Sequence, residues 1–76
     1  MTRGVFNWTF DDVVRFLKDR GFTLNHVEGS HYFYTGTIDS RLRQVLVHFH
    51  GGKAIKPRTL KSMIDQSGIP KKEWMK

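Results

Sequence analysis

Apolar residues in this chain recur first every three to four positions, then every two, then every three to four again. That succession limits it to a helix, a group of strands and a second helix. In "TFDDVVRFLKDRGF", Phe10, Val13, Val14 and Leu17 fall at i, i+3, i+4 and i+7 behind a cap formed by Thr9 and Asp12, and Gly21 supplies a left-handed stop. Alternation then runs from Phe22 to Val27, and an aromatic strand, "HYFYT", follows the Gly29-Ser30 connection and ends at Thr35-Gly36. After a loop "GTIDSR" comes "RQVLVHFH", with Val45, Val47 and Phe49 on one face and Leu46, His48 and His50 on the other. The more apolar first set is expected to face the core. "KPRTLKSMIDQSG" reads as the second helix, with Pro57 in its first turn, Leu60, Met63 and Ile64 as its buried stripe and Gly68 as its end.

Helix, strand, strand, strand, helix is an α+β order. Consecutive strands form an antiparallel meander, and a small sheet of this kind is expected to carry both helices on one face and leave the other open. The 76 residues hold one domain, with a core over about 9–69 and a short C-terminal tail over 70–76. A chain of this size buries roughly 60% of its unfolded surface, so its stability margin is thin. In the tail "IPKKEWMK", Trp74 either packs back onto the domain or waits for a partner.

Thirteen Lys and Arg against seven Asp and Glu leave a formal charge of +6, which favours a polyanionic partner, either nucleic acid or an acidic protein. The chain has no cysteine, which excludes disulfides and thiolate metal sites. Met1 to Trp8 lacks the apolar core of a signal peptide and no run approaches membrane-spanning length, so the sequence reads as a soluble cytoplasmic protein with no membrane partner.

The break "EGSHYFY" holds the first candidate for chemistry. Glycine and serine are poor strand residues, yet Gly29 and Ser30 stand just ahead of good strand material. His31 carries the one side chain that gives and takes protons near neutral pH, Gly29 leaves room for a backbone or ligand, and Ser30 adds a hydroxyl that bonds a phosphate or an imidazole. A hairpin turn followed by a surface histidine explains the same tripeptide. His48 and His50 share a strand face and, with His31, could begin a metal site, but no carboxylate or cysteine at a suitable spacing completes it; no metal and no cofactor is expected. His26 reads as an ordinary strand residue. Lys53, Lys56, Arg58 and Lys61 cluster at the start of the second helix, where unpaired amides and the helix dipole favour an anion, although a solvated basic face fits as well. No catalytic triad, nucleotide-binding glycine loop or glycosidase-like carboxylate pair is present in the sequence.

Taken together, "FLKDRGF", "GSHYFY" and "VHFHGGKAIKPRTLKSMIDQSGI" resemble the HicA (YcfA-like) toxin family of bacterial toxin-antitoxin systems over most of residues 10 to 69. The resemblance implies a double-stranded-RNA-binding-domain-like fold. It also implies a type II toxin that is an mRNA-cleaving endoribonuclease, acts without the ribosome and is held inactive by a HicB-type antitoxin. The histidine of the Gly-Ser-His motif is catalytic in that family and corresponds to His31. The chain departs from the family in a longer start, "MTRGVFNW", where the family does not predict how Phe6 and Trp8 pack, and in its short tail ending "KKEWMK".

On that reading His31 is the base of a metal-independent cleavage, Gly29, Ser30, Lys53, Lys56 and Arg58 contact RNA, and the acid that protonates the leaving oxygen is His50, His31 reused, or water. A noncatalytic RNA-binding module fits the same charge and fold order, and a protein-binding adaptor fits the charge alone.

Overall fold

A computed structural model describes residues 7–49 and 51–75. Helix α1 (Phe10–Asp19) starts where the sequence places it. The Thr9 hydroxyl accepts the Asp12 backbone N–H at 3.3 Å, while the Asp12 carboxylate accepts the Thr9 backbone N–H and hydroxyl, both at 2.9 Å. Two of the first-turn groups that the helix cannot satisfy internally are thereby paired. At the other end Gly21 takes φ +89°, and Gly21 and Phe22 donate their N–H groups to the carbonyls of Lys18 and Leu17 at 3.1 and 2.9 Å. This is the Schellman arrangement, and the two apolar residues that close it, Leu17 and Phe22, are both buried.

Strands β1 (Thr23–Glu28), β2 (His31–Ile38) and β3 (Arg41–His48) form one antiparallel sheet in the order β1-β2-β3. The first helix, the three-stranded sheet and the further helices bear out the α+β expectation. Two strand limits differ from it. β2 continues through Gly36 to Ile38, and β3 begins at Arg41, so the six-residue loop expected over "GTIDSR" is a two-residue turn at Asp39-Ser40. Both turn residues have positive φ, +51° and +66°, the type I′ pattern that matches the twist of paired strands. Such turns usually announce themselves by Asn-Gly or Asp-Gly, and Asp-Ser does not. Gly36 stays within the strand for a packing reason: a Cβ there would stand 2.8 Å from the Phe22 ring, which fills the space the glycine leaves.

Pairing of Tyr32 with Val47 and Tyr34 with Val45 sets these four side chains on one face. Against that face lie Phe10, Val13 and Leu17 of α1 and Leu60, Met63 and Ile64 of helix α2 (Pro57–Ser67), in one buried cluster. Phe49 departs from the expected core set. It lies just beyond β3 and is 45% exposed, although its ring still meets Phe10 edge-on at 5.0 Å. α2 ends at Gly68, φ +74°, as expected. Buried Ser67 closes it, donating to the Ile64 carbonyl at 2.7 Å and accepting the Ile69 N–H at 3.0 Å.

Of the two options for Trp74, the structure takes packing. A short helix α3 (Lys71–Trp74) turns it inward, where it is 1% exposed, stacked on Phe16 at 4.1 Å and beside Trp8 at 5.6 Å. Arg20 ties the ends together from outside, lying 4.8 Å over the Phe16 ring and 3.1 Å from the Glu73 carboxylate. Trp8 is buried and its carbonyl accepts the Ile55 N–H at 2.6 Å. Phe6 lies outside the described residues.

Truncation of the largest fully buried side chain removes both its transfer free energy and its packing. Trp74→Ala is expected to cost about 3–5 kcal/mol of unfolding free energy, read from urea denaturation. Tyr34 gives a pH signature. Burial, with Tyr32 as a second contributor, pushes its phenol pKa above the ordinary value. The folded chain therefore holds that proton to higher pH than the unfolded chain, whose tyrosine ionises near about 10. The contribution is constant below that point, and stability falls as pH rises through and beyond it. Urea midpoints measured from about pH 9 to 11 are expected to fall less steeply in Tyr34→Phe than in the parent.

Candidate functional site

The Gly29-Ser30 break is a two-residue hairpin between Glu28 and His31, which are paired across it. Gly29 has φ +60°, and Ser30 is not in the positive region, the pattern of a II′ turn with glycine first. The expected tight connection, a hairpin turn followed by a surface histidine, is what the structure shows, and its local cause is the sharp reversal into β2. Ser30 is fixed twice. Its carbonyl accepts the Phe49 N–H at 2.8 Å, and its Oγ is hydrogen-bonded to His48 Nε2 at 2.7 Å. The turn is thus bound to the far end of β3.

His31 begins a regular strand, so it shares a face with Phe33, opposite the core face of Tyr32 and Tyr34. Its side chain is exposed on that open face. Opposite it in β3 is His48, and the two rings stack at 4.7 Å between centroids with planes 9° apart. That spacing equals the distance between neighbouring strands. Both imidazoles therefore stand out from the sheet side by side and present their edges to solvent. A second pair repeats the pattern: His26 stacks on Phe33 at 4.2 Å, held by Asn25 at 2.8 Å and Glu28 at 3.1 Å.

His31 and His48 line a cleft of about 170 Å³ between the open end of the sheet and α2, whose Thr59, Ser62, Met63 and Gln66 form the other wall. Gln66 Oε1 accepts the Leu46 N–H at 2.9 Å and so caps the outer edge of β3. Thr59 also lines a neighbouring hollow of about 330 Å³ with Lys53, Ala54, Ile55 and Lys56. Lys56 is the N-cap of α2, and no side chain caps the helix there. The start of α2 and two exposed lysines thus line a hollow that shares Thr59 with the histidine cleft, a setting suited to an anion. Arg58 is exposed in the first turn of α2 and belongs to the lining of neither hollow.

The structure sets Ser30 and His31 against His48, with Gly29 at the turn behind them, while Lys53 and Lys56 line a separate hollow that shares only Thr59 with the His31 cleft. Missing from the sequence reading was the direct partnership of His48 with Ser30 and His31, as were the α2 residues Thr59, Ser62 and Gln66. The signal for His48 was available: counting outward from a two-residue turn at Asp39-Ser40 sets it opposite His31. A six-residue loop conceals that count. His50, named as a metal ligand or an acid, lies outside the described residues. Among the described residues no group of three or more His, Cys, Asp or Glu is close enough to hold a metal ion, and no helix is long and apolar enough to cross a membrane.

At Gly29 a Cβ would meet nothing within 4 Å, so a substitution there opposes only the backbone conformation. Gly29→Ala is expected to lower stability by about 1–2 kcal/mol, with Gly29→Asn closer to the parent, in urea denaturation.

A protein-family model described as the HicA toxin of bacterial toxin-antitoxin matches residues 10–69. No curated protein and no solved structure matches the chain.

Proposed function

Because the chain belongs to the HicA toxin family of bacterial toxin-antitoxin systems, we propose that it is a type II toxin that cleaves mRNA as a metal-independent endoribonuclease, with His31 as its catalytic base. Family membership implies an antitoxin partner. We assign that partner to the HicB type, and the RNA target makes the cytoplasm the place of action. The observation that carries the reading is the junction at Thr59, which lines the His31 cleft on one side and the Lys53 and Lys56 hollow on the other.

A strand of RNA lying along that junction would bring a phosphate to the two lysines and its ribose to the imidazole. Neutral His31 accepts the proton of the 2′-hydroxyl, and the 2′-oxygen forms a bond to the adjacent phosphorus while the bond to the 5′-oxygen breaks. The products are a 2′,3′-cyclic phosphate and, once the leaving oxygen has gained a proton, a 5′-hydroxyl. Lys53, Lys56 and the α2 amides would stabilise the negative charge that builds on the phosphate oxygens. Arg58, in the same first turn of α2, would contact the flanking backbone, and Gly29 and Ser30 would let it approach the turn. A positioned base is worth ~10²–10⁴ in rate. The net charge of +6 favours a polyanionic ligand.

The deciding experiment incubates purified protein with a defined single-stranded RNA in EDTA and identifies the new termini. Cleavage leaving a cyclic phosphate, lost in a folded His31→Ala variant, is the expected result. Intact RNA bound equally by both proteins would instead indicate a noncatalytic RNA-binding module, and cleavage that persists in the variant would remove His31 from its role. For the lysines, Lys53→Gln and Lys56→Gln are each expected to weaken RNA binding and to flatten the slope of log affinity against log salt by about 0.7. A slope unchanged in both would remove them from the phosphate contact.

A further inference from the structure

An exposed histidine at the start of a strand has freedom about both side-chain torsions, and exposed side chains change rotamer within nanoseconds. A base that must meet one hydroxyl works better when its nitrogen already points there. We propose that His48 is the positioning residue of this site: held by Ser30, its ring lies flat against the His31 ring and fixes the plane in which the His31 nitrogens lie. The inference rests on His31 being the catalytic base.

The geometry forms a closed circuit. Backbone pairing sets His31 and His48 opposite one another, which brings the rings to 4.7 Å at 9°. A ring held only by stacking can still flip by a half-turn about its Cβ–Cγ bond, which exchanges the places of its two edges. The His48 ring is held against that motion by the 2.7 Å hydrogen bond between its Nε2 and Ser30 Oγ. Ser30 is in turn fixed by the Phe49 N–H on its carbonyl at 2.8 Å, one residue beyond His48. On its other flank His31 pairs with Glu28, whose carboxylate is bonded to His26 at 3.1 Å. His48 is therefore the wall of the His31 slot that faces the cleft, and the cleft is lined by both rings. This gives Ser30 a role distinct from binding RNA, as the brace of the histidine that braces the base.

Stacking needs a flat ring and not a titratable one, so phenylalanine should serve. With the same RNA in EDTA, kcat and KM are measured for the parent, His48→Ala, His48→Phe and Ser30→Ala, each checked for folding by circular dichroism. His48→Ala is expected to lower kcat by up to about 10²-fold with KM little changed. His48→Phe should restore most of that loss with the acidic limb of the pH–rate profile kept, and Ser30→Ala should fall between the two. An alanine variant with parental kcat would overturn the proposal. So would a phenylalanine variant as inactive as His31→Ala, which would make His48 a proton carrier. A second readout does not depend on cleavage: the His31 ring protons, followed by NMR, should show ring-current shifts in the parent and in His48→Phe that disappear in His48→Ala. If the parent leaves RNA intact, the endoribonuclease reading fails by itself, and identical His31 signals in the parent and His48→Ala would then count against the stack as well.

Discussion

The register of β2 is the constraint on which the rest of this structure depends. It is the middle strand, bounded by the Gly29-Ser30 turn at one end and the Asp39-Ser40 turn at the other. Each turn has only two residues, so neither leaves slack for its neighbour strand to slide. Side chains alternate strictly along a strand, and a slip of one position would exchange the two faces. Tyr34 and Tyr32 would then leave the helices, and His31 and Phe33 would enter the core. One backbone choice thus decides both where the hydrophobic cluster forms and where the histidines are displayed.

A chain of this length has little apolar surface to spare, and the structure recruits both of its ends to the core. Trp8 precedes the first helix and Trp74 ends the last, yet both lie against Phe16, with Arg20 and Glu73 closing the contact at the surface. Close fitting supplies the rest. Phe22 closes the helical stop behind it and occupies the space over Gly36, so the end of α1 and the middle of β2 interlock. The helices cover one face of β2 and β3, while β1 is exposed along its length and the other face is free to carry polar aromatic side chains.

That division of labour explains the character of the candidate site. It is an edge feature, formed where the open face of the sheet meets the start of α2, and it draws on three separated stretches: the first hairpin, the end of β3 and the segment around Lys53 to Thr59. Its components are individually ordinary: a turn, paired histidines, an uncapped helix start with lysines. Thr59 is common to both hollows, and on the proposed reading the imidazole on one side and the amide donors and cations on the other would act on one phosphate backbone.

The helices, their caps and stops, the basic charge and the special turn at Gly29-Ser30 were legible in the sequence, because each depends on residues no more than a few positions apart. The Thr9-Asp12 cap and the Gly21 and Gly68 stops are of this local kind. The helical pattern of Leu60, Met63 and Ile64 likewise identified a buried stripe, though not what it would pack against. Only tertiary structure decided that His48 stands against His31, that Ser30 holds it, that Thr59 joins the two hollows and that Trp74 closes the core. These contacts join residues far apart in the chain. Their formation depends on strand register and on how α2 docks, and neither is encoded by the local pattern of any one segment. An Asp-Ser turn that needs positive φ at both residues is a weak local signal, overruled by the pairing of eight residues on either side. The sequence alone determined which elements form and which residues could do chemistry; the long-range pairing of those elements determined which of those residues meet.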